Sequence, residues 1–236
     1  MTDRACTPRA CSVAALLASL LLGLALIAHH AVAGTALDHA VLGWMVHHRS
    51  PALTSWAIAV TDVGSPVGIG VLAIAVSAVL WWRRGSPWPA VVVLATVAAS
   101  AAISTATKVV VGAHRPVQTL QLVLETDPSF PSGHVTGTLA LLGALTVVTA
   151  RHVGPAARAA LITATVVGTA VVASTRLYLG VHWLSDVLGG VLLGATAVVL
   201  AHIALRLVTA SRTRQSTSAT PADAEQSSTA PARLGR

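Results

Sequence analysis

Long apolar runs alternate with short polar breaks along this chain, and the length of those runs decides the architecture. A helix crossing a bilayer core needs about 20 mostly apolar residues. Runs of that kind cover 12–33, 88–111, 135–150, 157–175 and 183–208. A sixth, over 51–82, is broken by Asp62 and by Gly64-Ser65-Pro66. It divides into a short helix ending near Val63 and a span over 66–82. Residues 35–50 mix apolar positions with Trp44, His47, His48 and Arg49, the pattern of a short amphipathic helix in the interface plane. Trp81, Trp82 and Trp88 fall between two spans, where aromatic rings favour the headgroup level. After Arg212 the chain is rich in Ser, Thr, Ala and Pro without periodicity, the composition of a disordered tail. The expected fold class is all-α: a six-transmembrane-helix bundle with a short interfacial helix and a disordered C-terminal tail. It divides into an N-terminal segment over 1–11, a single domain over 12–210 and the tail over 211–236, with no internal repeat.

Composition supports lipid as the main solvent. The chain is 54% hydrophobic and 10% charged, whereas soluble domains carry about 25% charged residues. The net charge of +7 does not point to nucleic acid, because the basic residues are scattered singly between apolar runs. Their distribution does set an orientation. With the N-terminus in the cytoplasm, eleven cations (Arg4, Arg9, Arg83, Arg84, Arg151, Arg158, Arg206, Arg212, Arg214, Arg233, Arg236) lie inside. Four (Arg49, Lys108, Arg115, Arg176) lie outside, so the positive-inside rule favours cytoplasmic termini. Cys6 and Cys11 then face the cytosol, where disulfides are rare; they lack metal-ligand spacing and receive no role. Arg4, Arg9, the first apolar run and Ala31-Val32-Ala33 before Gly34 also fit a secretory leader. The length of the run and the even helix count favour a retained first span. The wealth of Ala, Val, Gly and Arg resembles a GC-rich bacterial genome, and the expected location is a bacterial plasma membrane.

Three of the four outer cations belong to a larger constellation. Ionisable groups at membrane depth are costly and by default mark a working site. Lys108 lies near the outer end of the third span and Arg115-Pro116 opens an extended loop. The two cations are about two helical turns apart, so they can face one point if the helix persists almost to Gly112. Each alone is readily explained by snorkelling to headgroups. Pro131-Ser132-Gly133-His134 directly precedes the fourth span. Ser132 is suited to cap that helix, and Gly133 allows close approach of a ligand to the backbone. The helix start carries partial positive charge suited to phosphate, and His134 stands at its mouth. Arg176, His182 and Asp186 bracket the last outer loop. His182 begins the sixth span and Asp186 lies four residues on, on the same face. The carboxylate can hold one ring nitrogen as N–H and leave the other bare and nucleophilic. A bland alternative exists for each piece: an N-capping turn with an incidental histidine, or a structural His-Asp pair. The other histidines, including His29, His30, His39, His47, His48, His152 and His202, read as interfacial; His114, beside Arg115, is the next to test.

Together, Lys108-x6-Arg115-Pro116, Pro131-Ser132-Gly133-His134 and Arg176-x5-His182-x3-Asp186 resemble the three-part signature of the phosphatidic acid phosphatase type 2 superfamily, over roughly residues 60–205. That superfamily includes membrane lipid phosphatases and soluble vanadium haloperoxidases. Thr175 stands where the family's third motif usually has Ser, which makes Thr175 a further candidate contact. The resemblance implies that Lys108, Arg115, Arg176, Ser132 and Gly133 grip phosphate oxygens. It implies that His182, oriented by Asp186, attacks phosphorus, and that His134 protonates the leaving oxygen and then activates water. It implies neither metal nor cofactor, the three cations taking the charge-neutralising role that Mg²⁺ has elsewhere. Asp186 by itself favours imidazolium at His182, so the arginines must offset it.

The implied partners are a bilayer and a lipid phosphate or diphosphate: undecaprenyl diphosphate, phosphatidic acid or phosphatidylglycerol phosphate. The site would face outward. The 14 residues between Pro116 and Pro131 leave little room for a large specificity domain. A haloperoxidase-like enzyme shares the cradle, but its relatives are soluble. A channel or transporter with a polar vestibule would spread polar residues along several spans. The sequence does not distinguish the three lipids or set an oligomeric state.

Overall fold

Punctuation by Ser, Pro and Gly explains where the helices begin and end. The computed structural model describes residues 8–218, with side chains to Thr209. Eight α-helices follow in order: α1 (Pro8–His30), α2 (Ala36–His47), α3 (Pro51–Val63), α4 (Pro66–Arg84), α5 (Trp88–Val111), α6 (Gly133–Thr149), α7 (Pro155–Tyr178) and α8 (Leu184–Ser218). There is no strand among the described residues. At α3 and α4 a serine caps a helix that starts on proline: Ser50 accepts from the N–H of Leu53 and Ser65 from that of Gly68. Proline is suited to that first position because its missing N–H would be unpaired anyway. A capping box joins Thr35 and Asp38 at the start of α2. Gly85 and Gly112 end α4 and α5 in the left-handed conformation, at φ +59° and +64°, which glycine adopts without steric penalty.

Six helices are long and apolar enough to cross a membrane: α1, α4, α5, α6 extended to His152, α7, and α8 as far as Thr209. The chain is an all-helical, multi-pass membrane protein. The helices α2 and α3 are too short to span and pack on α7, with α2 also touching α8. Against the sequence expectation, α1 starts and ends a few residues earlier than 12–33. At the far end, α8 continues to Ser218, so the tail assigned to 211–236 begins at least eight residues late; its remainder, 219–236, lies outside the described residues. Cys11 is disulfide-bonded, contrary to the reduced state that a cytosolic position implies.

The centre of the bundle is α6, packed by α4, α5, α7 and α8. Its main core joins Ile69 and Ala73, Val93 and Val97, Ala140, Ala144 and Val148, and Ala201 and Leu205. Lipid tails are as apolar as these side chains, so association depends on close packing rather than on water exclusion. Small residues supply it. A Cβ on Gly143 would come within 2.2 Å of Val198, and one on Gly194 within 2.9 Å of Leu139. A Cβ on Gly190 would meet the Ser132 carbonyl at 2.8 Å. The N-terminal end of α8 is thereby held against the start of α6, where the candidate residues converge.

Candidate functional site

Two backbone contacts fold the long α5–α6 loop back over the end of α5. The N–H of Gly112 donates to the Lys108 carbonyl at 3.0 Å, closing the helix. The N–H of Ser129 then donates to Ala113 at 2.9 Å, so residues 127–129 return to the point where the loop began. Arg49 fastens the other side, donating to the carbonyls of Tyr178 (3.0 Å) and Leu120 (2.8 Å). The N–H of Leu122 donates to Leu179 at 2.9 Å. The α5–α6 loop and the α7–α8 turn therefore form one roof over a polar pocket.

His182 belongs to that turn. It precedes α8 by two residues rather than opening the span, because the first helical residue is Leu184. Its Nδ1 is 3.2 Å from Oδ2 of Asp186. Asp186 is held in turn by the N–H of Trp183 at 2.8 Å and by the Ser129 hydroxyl at 3.2 Å. With the Asp186 carboxylate as acceptor, the proton is assigned to Nδ1, and Nε2 carries the free lone pair. Nε2 faces Nη1 of Arg115 at 3.2 Å. Burial is the strongest influence on His182, followed by like-charge repulsion from Arg115, Arg176 and Lys108; its proton affinity lies well below the ordinary histidine value of 6.5. His134 adds a smaller repulsion of the same sign. The offset to Asp186 that an attacking imidazole needs is therefore built in.

The three cations meet in the same pocket, and each has a carboxylate partner from residues 125–127. Lys108 Nζ lies 3.0 Å from Oδ2 of Asp127 and also donates to the Pro128 carbonyl. Arg115 Nη2 donates to Oδ1 of Asp127 at 2.7 Å, Nε to its carbonyl at 2.7 Å, and Nη1 to the carbonyl of Val181 at 2.7 Å. Arg176 donates to Glu125 and, at 2.6 Å, to the hydroxyl of Thr61. Arg176 is 1% exposed. Burial disfavours ionisation of Asp127, but Lys108 and Arg115 outweigh it and hold the carboxyl below its usual range.

Donors are left over. The Ser132 hydroxyl and Arg176 Nε are buried without a hydrogen-bond partner. Buried polar groups are almost always paired, so these two donors, like the unpartnered hydroxyls of Ser104 and Thr138 on α5 and α6, are available to a ligand. Ser132 holds the N-cap position of α6, yet its side chain makes no cap bond, contrary to the capping role expected of it. Its backbone does the positioning instead, with its N–H donating to the Asp186 carbonyl at 3.0 Å. Gly133 and His134 open α6, and His134 is buried. The Thr175 hydroxyl donates to the Val172 carbonyl of its own helix at 2.7 Å. His114 is exposed and contributes its backbone: its N–H donates to the Val32 carbonyl at 2.7 Å, and its carbonyl accepts from Trp183 Nε1 at 2.8 Å and from the Ser129 hydroxyl at 3.2 Å.

Several residues at the site escaped the sequence reading. Ser129 and Thr61 support Asp186 and Arg176; Glu125 and Asp127 pair with the cations. Asp38 of α2 accepts from the N–H of Ser185 at 2.8 Å, fastening the short helix to the start of α8. A signal did exist for the two acids, since they lie in the loop that joins Arg115 to the Ser-Gly-His turn.

Below the pocket, a groove of about 290 Å³ runs between α4, α5 and α6. Lys108, Asp127 and Gly133 are at one end, and Ile69, Val97, Ala101 and Val109 line its apolar walls. Charge and hydrocarbon surface are thus continuous along one path.

A family model described as the PAP2 superfamily matches residues 89–209, just over half of the 236 residues and all of the constellation. A solved structure described as the first transmembrane PAP2 type phosphatidylglycerolphosphate phosphatase, from Bacillus subtilis, is similar in fold. It aligns with a TM-score of 0.73 at 24% identity, over 80% of this chain and 93% of that one. No curated protein matches the chain.

Proposed function

Because this chain belongs to the PAP2 superfamily, we propose that the outer pocket is the active centre of a membrane lipid phosphatase that works through a phosphohistidine. One observation carries the reading: an imidazole with one nitrogen held by Asp186 presents the other to Arg115, whose carboxylate partners also hold the buried Lys108 and Arg176, and Arg176 and Ser132 each keep an unpartnered donor. A phosphoryl group needs that combination of an in-line nucleophile and charge stabilisation.

Lys108, Arg115 and Arg176 neutralise the phosphate oxygens, with the Ser132 hydroxyl and the N–H at Gly133 as additional donors. Nε2 of His182 attacks phosphorus; the N–P bond forms as the P–O bond to the lipid breaks. His134 gives its proton to the departing lipid oxygen. In the second half, His134 takes a proton from water, the new oxygen bonds to phosphorus, the N–P bond breaks, and inorganic phosphate leaves. Asp186 keeps the Nδ1 proton throughout and stabilises the imidazolium that forms on attack. The cations supply the charge neutralisation that Mg²⁺ gives in other phosphoryl transfers.

The apolar groove favours a lipid over a soluble ester, because a chain lying in it delivers its headgroup to Lys108. Phosphatidylglycerol phosphate, phosphatidic acid and undecaprenyl diphosphate all fit this description. The domain spans 12–210, both termini are cytoplasmic and the pocket faces outward across a bacterial plasma membrane, as the distribution of cations favours; the disulfide at Cys11 is the observation that runs against this orientation. The test is phosphate release from these three lipids in detergent micelles by one preparation, with and without EDTA. Full activity in EDTA and preference for a lipid over a water-soluble phosphomonoester are expected. Strict Mg²⁺ dependence, or equal rates on the soluble ester, contradicts the proposal.

A further inference from the structure

The buried Lys108 and Arg176 and the half-buried Arg115 cannot face one another without counter-charge, and the bundle supplies it from a single segment of loop. Unpaired charges in such a site are expensive. Glu125 neutralises Arg176, and Asp127 bridges Lys108 and Arg115; Glu125 also lies 3.8 Å from Arg115. Two carboxylates bring two negative charges, close to the charge on a phosphate monoester at neutral pH. They reach the pocket from above, Asp127 with half of its side chain exposed and Glu125 with a quarter. The main chain between them is fastened at both ends. The Glu125 N–H donates to the Gln121 side chain at 3.4 Å, and the Pro128 carbonyl accepts from Lys108.

Resting on the phosphatase reading of the pocket, we infer that Glu125 and Asp127 are specificity-determining residues: they occupy the phosphate position as an internal competitor, and an entering phosphate must displace them. The geometry gives the reason that displacement can occur. Carboxylates saturate part of the cradle only. The Ser132 hydroxyl and Arg176 Nε remain without partners while the acids are in place. A tetrahedral phosphate has more acceptor oxygens than either carboxylate, so it satisfies donors that the acids cannot reach. The exchange trades one set of ion pairs for another of similar charge plus hydrogen bonds to the leftover donors. Anions that lack those additional oxygens gain nothing over the acids and are rejected. The same competition limits how tightly product phosphate holds, because the carboxylates return as it leaves.

The roles of Glu125 and Asp127 are those of competitors, not of supports, and the two predict opposite signs. Removing a support loosens the cations and weakens anion binding; removing a competitor strengthens it. The experiment measures binding of inorganic phosphate by calorimetry to the full chain in detergent, in a His182→Ala background so that no turnover intervenes. Asp127→Asn, at a half-exposed position, should tighten binding by about two- to fivefold, the scale of an exposed ion pair. Glu125→Gln, facing a buried arginine, should tighten it by about tenfold. In the active enzyme the same substitutions should lower KM for lipid phosphate and the inhibition constant of phosphate together, while kcat stays level or falls as product release slows. Lys108→Ala and Arg115→Ala are the controls and should weaken binding. Weaker or unchanged binding in both acid variants overturns the competitor role while leaving the phosphatase reading intact. Phosphate binding that survives Lys108→Ala and Arg115→Ala undiminished removes the pocket itself, and this inference with it.

Discussion

The two ends of this helical bundle, called outer and inner after the proposed orientation, are built from opposite materials. At the inner end, α4 joins α5 through Gly85, Ser86 and Pro87, and α6 joins α7 through a single 3-10 turn at Ala150–His152. Its cations are half-buried or exposed: Arg83 and Arg158 are exposed, Arg84 is half-buried, and Arg151 donates to Thr209 at 3.3 Å. At the outer end, Lys108, Arg176, His134, His182 and Asp186 are all buried. Two connecting segments are woven together there by Arg49, Ser129 and Trp183. Polar groups at the inner end serve topology, where water and headgroups satisfy them without further architecture. Those at the outer end are taken out of water, and every contact among them had to be made by the protein. The proposed chemistry accounts for that expense at one end only.

The sharpest break in the comparison comes from His182→Ala. The variant should insert and fold, since the turn is held by Trp183 and Leu179, yet phosphate release should fall by at least about 10³-fold, as when other nucleophiles are deleted. Next, Arg176→Ala strands Glu125 and removes a phosphate donor. Turnover should fall by about 10² to 10³, with a lower midpoint of thermal unfolding in the same preparation. His134→Ala should cost about 10² to 10⁴ in rate through lost acid–base help.

A smaller effect concerns pH. Burial and the neighbouring cations depress the proton affinity of His182 well below 6.5, so the imidazole stays neutral as pH falls through 6.5. The acidic limb of kcat/KM assigned to His182 therefore lies below that value, because kcat/KM reports the free enzyme. Arg115→Gln removes the largest charge contribution, and the limb should move upward towards 6.5 while the overall rate drops. A limb that stays in place contradicts the assigned cause. The smallest effect belongs to the inner end: Arg151→Ala should leave phosphate release within about twofold and stability within about 0.5 kcal/mol, as surface substitutions do.

Much of the outer site was legible before any coordinates, because membrane physics makes buried charge conspicuous. Lys108, Arg115, Arg176, His182 and Asp186 stand out where helices should shed polarity, and the 3.2 Å His182–Asp186 contact follows from a spacing of four. The spans were legible within a few residues, since their length is dictated by the bilayer. Other features depend on how the loops return, which no local pattern encodes. Glu125 and Asp127 lie in the loop after Arg115, but only the Ser129–Ala113 hydrogen bond brings them over the cations. The Ser132 hydroxyl read as a helix cap because its position allows one, but nothing local reveals that it makes no such bond. Asp38 likewise belonged to an amphipathic pattern, and only tertiary packing fastens it to Ser185.

The most direct test of the central claim is covalent. A lipid phosphate labelled with ³²P, mixed with the detergent-solubilised enzyme and quenched in alkali, should leave label on the peptide that carries His182. That label should be lost in acid, as a phosphoramidate is, and absent from His182→Ala. Label that persists in His182→Ala, or that maps to another side chain, contradicts the account.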